Sequence, residues 1–309
     1  MRLAVYVTQA VFIILRNLSF SVTITKSGYK FMIPRNLNLK MFLQELVSFS
    51  LIGVISIFSA AKIYSSSFIS ETPTLAIFWW QFLLAFGIGT AIVLGLIRIM
   101  HGGLFLRIFF LFAIFSGTFI TLNIFIADTW ALIFSLALVS FYVIWPRVWF
   151  HNLILILTLP GIAALLGASL NPWTAVLILI IMSVYDYVAV YKTKHMVRMA
   201  KAMISGRAIF AMIFPEHWQG FKSHLNEAHP GEGFMMLGTG DFVFPFIMAA
   251  SAYAISPIAA WLVFSFALIG LLLMHLIFVS QKNRRPMPAL PPLAAFAILG
   301  FLIATILKF

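Results

Sequence analysis

The chain contains no cysteine in 309 residues, which excludes disulfides and thiolate metal sites. Charge is almost as scarce. Only 9% of residues are charged and 63% are hydrophobic, whereas a soluble domain carries about 25% charged residues. With a mean hydropathy of +1.07, a soluble globular domain is excluded. The apolar runs are continuous rather than alternating, so a transmembrane β-barrel is excluded too. An all-α polytopic membrane protein is what is left. Acids are the scarcest charges, eight against twenty Lys and Arg. The net charge of +12 does not point to nucleic acid, because the basic residues lie between the apolar runs, where they orient a chain in the bilayer.

Apolar stretches of about 17–25 residues are the units that span a membrane, and nine are read in this chain. They are Leu46–Ala61, Leu75–Ile97, Leu104–Ala127, Trp130–Trp145, Leu153–Leu170, Pro172–Tyr191, Phe234–Ala254, Pro257–Val279 and Pro288–Leu307. With the first residue cytoplasmic, 18 of the 20 basic residues fall on the cytoplasmic side, leaving Lys62 and Lys308 outside. The positive-inside rule therefore predicts a cytoplasmic N-terminus and an outside C-terminus. Trp130, Trp173 and Trp261 then sit at outer ends and Trp145 and Trp149 at inner ends, as an aromatic belt does.

The predicted divisions are an N-terminal extension over 1–40, six spans over 41–191, a cytoplasmic loop over 192–233 and three spans over 234–309. The extension has an apolar run, Val5–Leu15, too short to span. It reads as a peripheral segment, or as an over-long start with Met32 or Met41 as initiator. In the loop, Met196–Phe214 mixes Arg198, Lys201 and Arg207 with Met, Ile and Phe, which predicts an amphipathic surface helix. The second half is rich in His and turn-formers and reads as a mobile loop or as a gate over a site. Its His217, His224 and His229 have no metal-ligand spacing.

Two acids, Asp186 and Asp241, lie inside predicted spans, and the other six are expected near helix ends or in polar loops. A carboxylate in a bilayer costs roughly 3 kcal/mol or more, so it usually serves a proton, an ion or a reaction. At 1.5 Å per residue, Asp186 lies about 9 Å below the boundary at Lys192, and Asp241 about 13 Å below Glu232 if the intervening chain is helical. Spans six and seven run antiparallel, so packing them brings the carboxylates to similar depth. Two carboxylates that close share one proton. The ionised one can activate a water while the protonated one polarises a carbonyl.

Asp241 follows Gly238-Thr239-Gly240; the missing side chains suit either close backbone approach or ordinary small-residue packing. Tyr185 and Tyr187 flank Asp186 and suit packing or hydrogen bonding. Span nine opens with Pro288-Ala289-Leu290, followed by Pro291 and Pro292. Proline is ordinary at a helix start, but this one lies at the cytoplasmic end, on the side of both aspartates. His275 in span eight reads as a packed or hydrogen-bonded histidine.

Tyr185-Asp186, Gly238-x-Gly240-Asp241 and Pro288-Ala289-Leu290, in this order and on nine spans, resemble the presenilin and signal peptide peptidase family. The resemblance extends from about Met41 to the C-terminus, and the short loops look like those of a prokaryotic, archaeal member of a cell membrane. It implies an intramembrane aspartyl protease of transmembrane substrates. Asp186 and Asp241 would be the catalytic pair, and the Pro-Ala-Leu segment would shape the substrate site. The N-in orientation resembles presenilin rather than signal peptide peptidase. The loop after span six is far shorter than presenilin's, which speaks against autoproteolytic maturation. No cofactor or metal and no nucleic acid is expected. Nine spans without a docking module suggest activity without accessory subunits, and a homo-oligomer stays open. The rivals are a proton-coupled transporter or cation leak channel using the same carboxylates, and a prepilin-type peptidase. His-Glu-x-x-His is absent, and Gly167-Ala168-Ser169 continues with Leu170 rather than completing a rhomboid-type Gly-x-Ser-Gly.

Overall fold

A computed structural model describes residues 39–65, 80–82, 84–85, 87–89, 92, 95, 103–191, 208–229, 233–281 and 286–308. The N-terminal extension before residue 39 and most of the second predicted span lie outside the described residues. The described elements, in chain order, are α1 (Leu39–Ser65), α2 (Gly103–Phe125), α3 (Asp128–Ile144), α4 (Val148–Ala168) and α5 (Pro172–Tyr191). They continue with strands β1 (Ala211–Pro215) and β2 (Phe234–Gly238), then α6 (Thr239–Ala252), α7 (Pro257–Ser280) and α8 (Leu290–Ile306). Five of these helices, α1, α2, α4, α5 and α7, are long and apolar enough to cross a membrane.

The helix ends follow local chemistry. Ser256 caps α7 by accepting from the Ala259 N–H at 3.1 Å, with Pro257 at the first helical position, where its missing N–H does no harm. α4 is central: α1, α2 and α6 all pack on it. Two threonine contacts tie it to α2, Thr118 to Thr158 at 3.0 Å and the Gly161 N–H to the Thr121 hydroxyl at 2.9 Å. A Cβ on Gly161 would sit 2.4 Å from that hydroxyl, so the close crossing needs glycine there, as membrane helix pairs often do. Gly270 of α7 and Gly300 of α8 do the same for the pair that carries the Pro-Ala-Leu segment, lying against the Pro292 and Leu262 carbonyls.

Three expectations are corrected. The seventh span is not one helix. Phe234–Gly238 is extended, and only Thr239–Ala252 is helical. The helical rise therefore does not apply to the chain leading to Asp241. Second, β2 pairs antiparallel with β1, from Ala211 opposite Gly238 to Pro215 opposite Phe234. The predicted amphipathic helix thus does not include 208–214, which are coil and strand; its residues 196–207 lie outside the described set. Third, Glu45 is not at a helix end. α1 starts at Leu39, seven residues before the predicted Leu46, and Glu45 is fully buried in it.

Glu45 is held by His275 of α7, whose Nδ1 lies 3.0 Å from the carboxylate, and the imidazole is buried as well. A polar pair in a low-dielectric core is stable only as a pair, because the group left behind by a deletion keeps its full desolvation penalty. His275→Leu should lower unfolding stability by about 1–3 kcal/mol, read by thermal unfolding in detergent. Glu45→Leu with His275→Leu should cost less than the two single changes summed. Simple additivity would show that the pair is not coupled.

Candidate active site

Asp186 and Asp241 both end up buried, each 8% exposed. They come from α5 and α6, which pack against each other and both against α8. Three helices thereby bring together the two carboxylates and the Pro-Ala-Leu segment, which are separated by more than forty residues in sequence. The carboxylates lie within electrostatic range of each other.

Asp186 sits near the C-terminal end of α5, where unpaired carbonyls and the helix dipole disfavour a negative charge. The compensation comes from another helix. Leu290, the first residue of α8, donates its N–H to the Asp186 carboxylate at 3.2 Å, and the Ala289 N–H is a second donor to it. A helix start normally presents several unpaired N–H groups. In α8 the next two positions are Pro291 and Pro292, which have none. The remaining amides of that turn, Ala289 and Leu290, are therefore the ones spent on Asp186. Pro288, Ala289 and Leu290 are all buried, so these bonds are shielded from competing water.

Asp241 is held by a helix start of its own. Gly238 caps α6, and Asp241 lies in its first turn, where the dipole favours a carboxylate. The Gly238 N–H is its backbone donor, the geometry of the returning half of a capping box. A Cβ on Gly238 would come within 3.2 Å of Asp241 Oδ2, tight enough to displace the carboxylate. Gly240 differs. A Cβ there would meet nothing nearer than the Phe244 ring at 3.5 Å, an ordinary contact within the same helix. The fold itself does not need glycine at 240, which leaves the adjoining space beside Asp241 open.

Of the other expected site residues, Tyr185 and Tyr187 are about half exposed, at 49% and 52%. Tyr187 packs edge-on with Tyr191 along the same helix. Among the loop histidines, the His224 backbone N–H donates to the Glu227 carboxylate at 3.2 Å, and His217 precedes a short helical turn, Trp218–Lys222, without a side-chain cap bond. Arg147, at the head of α4, donates to the Lys222 carbonyl and lies over the Trp145 ring, tying this loop to the α3–α4 corner.

Sequence reading misses the residues that hold β1. Asn152 of α4 exchanges two hydrogen bonds with Ile213, donating to its carbonyl at 2.6 Å and accepting from its N–H at 3.0 Å. His151 Nε2 donates to the Ala211 carbonyl at 2.9 Å, which makes Nδ1 the acceptor for the Tyr142 hydroxyl at 3.0 Å. Gln44 of α1 donates to the Pro215 carbonyl at 3.1 Å. The available signal is two adjacent polar pairs, Gln44-Glu45 and His151-Asn152, each at the head of an apolar run.

An apolar helical fold that places two buried carboxylates on packed helices, within electrostatic range of each other and each met by a helix start, has the architecture of an intramembrane aspartyl protease. The chain belongs to the signal-peptide peptidase, presenilin aspartyl protease family, whose model matches residues 70–308. Two crystal structures described as a presenilin family intramembrane aspartate protease have the same fold. One, in space group C222, is 21% identical with a TM-score of 0.59, over 85% of this chain and 98% of that chain. The other, in P2, is 23% identical with a TM-score of 0.57, over 90% of this chain and 100% of that one. No curated protein matches the chain by sequence. The protein is thus an integral multi-pass membrane protein and an aspartyl protease that works on transmembrane substrates in the bilayer. The family match starts at residue 70, after the Met41 start expected for the resemblance, so it does not include α1.

Gly240→Ala tests whether the open space beside Asp241 is used. The variant should unfold at the wild-type temperature or above it, since Ala is the better helix former by about 1 kcal/mol. Its kcat/KM on a transmembrane peptide should nevertheless fall, by roughly tenfold or more, because a peptide can no longer approach the backbone. Wild-type cleavage would show that nothing approaches there.

Proposed function

We propose that Asp186 and Asp241 are the catalytic dyad, and that the protein hydrolyses peptide bonds in substrate helices near their cytoplasmic ends. The observation that carries this is the pairing of two buried carboxylates on adjacent helices, each supplied with backbone donors. One proton is shared by the dyad. The ionised aspartate takes a proton from water, and the oxygen of that water adds to the scissile carbonyl carbon. The protonated aspartate gives its proton to the carbonyl oxygen, producing a neutral gem-diol. The first aspartate then protonates the amide nitrogen, the C–N bond breaks, and the second takes back a proton from a diol hydroxyl. The dyad ends as it began, with one proton.

A substrate helix has all its backbone hydrogen bonds made internally and must unwind before its carbonyl can be attacked. β2 supplies the means. The Thr239 N–H bonds to Phe210 and the Glu216 N–H to Gly233, so alternate residues of β2 face β1, and Phe234, Met236 and Gly238 face away from it. Among the described residues, nothing bonds to the Met236 N–H or carbonyl. An unwound substrate segment adds there as a third strand, and the strand leads directly to Asp241. The N-in orientation, nine spans, a prokaryotic cell membrane and activity without accessory subunits belong to the same proposal, supported by the distribution of basic residues and by the short loops. The carboxylates alone would also suit a transporter, but family membership gives that reading and the prepilin-type one no support.

Purified protein with a transmembrane peptide should yield products cut near the substrate's cytoplasmic end, identified by mass. Asp186→Ala and Asp241→Ala should each lower kcat by at least about a thousandfold, since a dyad acts as a unit. Cleavage by either variant at the wild-type rate would sink the assignment, and a cut near the outer end would reverse the orientation.

A further inference from the structure

A two-stranded sheet has two edges, and an incoming strand can add to either. Only one of them leads to Asp241. The outer edge of β1 consists of the Ala211, Ile213 and Pro215 main-chain groups, because the intervening residues face β2. Pro215 has no N–H to offer. Its carbonyl is taken by Gln44, the Ala211 carbonyl by His151, and both groups of Ile213 by Asn152. The Asn152 amide meets Ile213 as a residue of a neighbouring strand would, with one donor and one acceptor. These three side chains are all buried, with Asn152 6% exposed and His151 fully enclosed. His151 is itself fixed by the Tyr142 hydroxyl. The opposite edge, at Met236, has no such partner among the described residues.

We propose that Asn152, with His151 and Gln44, is a positioning set that closes the outer edge of β1 with side-chain amide and imidazole groups, so that substrate adds only to β2 and in one register. The inference rests on the proposed reading that substrate binds β2 as an added strand. Its consequence is specificity. The clamp fixes β1 against α1 and α4, β1 fixes β2, and β2 fixes where along the substrate the dyad meets a carbonyl. A strand that slips by one residue presents its opposite face, so a loosened clamp spreads the cut positions. The three are positioning residues: their hydrogen bonds go to β1 and Tyr142, not to Asp186 or Asp241.

The test uses the full-length protein in liposomes with a transmembrane peptide substrate, comparing wild type with Asn152→Leu, which keeps size and removes donor and acceptor. The expected result is a fall in kcat/KM of roughly tenfold or more, carried mainly by KM. Product masses should show added cut positions one or two residues from the wild-type site. A short transition-state isostere that fills only the dyad should bind within about twofold of its wild-type affinity. Unchanged kcat/KM with a single cut position would overturn the proposal. So would a loss confined to kcat together with weakened isostere binding, which would place the effect on the carboxylates. If Asn152→Leu does not fold, Gln44→Met and His151→Phe carry the same readouts. Failure of the underlying reading is separate: it appears as wild-type cleavage by Met236→Pro, which lacks the outward N–H of β2 that an added strand would use.

Discussion

The bond from the Leu290 N–H to the Asp186 carboxylate is the contact on which the site depends. In hydrocarbon there is no water to solvate a carboxylate, so its donors must come from the protein. Within a helix, only the start leaves backbone N–H groups over. The chain uses two such starts. α8 turns its first amides to Asp186, and α6 turns its own cap to Asp241. The bilayer that makes these acids expensive thus also explains why each sits at a helix N-terminus. It explains as well why the Pro-Ala-Leu segment lies beside the aspartates, because Pro291 and Pro292 leave the amides just before them as the donors of that turn.

The same rule governs the sheet. Extended backbone at membrane depth is tolerated only where the protein satisfies its polar groups. β1 is paired on one side by β2, and on the other the Ala211 and Pro215 carbonyls and both groups of Ile213 are taken by His151, Gln44 and Asn152. On the far side of β2, the Gly238 N–H goes to Asp241, and among the described residues nothing bonds to the Met236 main-chain groups. That open edge beside a buried carboxylate is the asymmetry from which the proposed substrate binding follows. Behind it, α1 braces α6 through Phe49, which packs on Phe242 and Phe246. The buried Glu45–His275 pair locks α1 to α7 one turn away from Phe49.

Much of this is legible in the amino-acid sequence. Hydropathy places Pro172–Tyr191 to the residue and finds each described long helix, though α1 and α4 start earlier than predicted, at Leu39 and Val148, because a bilayer imposes a minimum apolar length but not a maximum. Scarcity makes Asp186 and Asp241 conspicuous. The features that escape sequence reading do so for a common reason. Phe234-Met-Met-Leu-Gly is an apolar run that serves equally as a buried strand or as part of a helix, and periodicity cannot separate the two. Glu45 falls just outside its predicted span because hydropathy trims a helix at its first charged residue, whereas a tertiary partner 230 residues away restores it. His151 and Asn152 are inconspicuous for the reverse reason: their partners are main-chain groups of a strand whose sequence reads as helix, and main-chain partners have no sequence signature.

The central claim is that the two carboxylates face each other across one reactive centre. The absence of native cysteine makes this directly measurable. In a chain carrying only Asp186→Cys and Asp241→Cys, any intramolecular thiol crosslink must join those two positions. A short bifunctional thiol reagent applied to membranes should link them efficiently. Failure to crosslink the pair, with a reference pair on α7 and α8 crosslinking normally, would contradict the account.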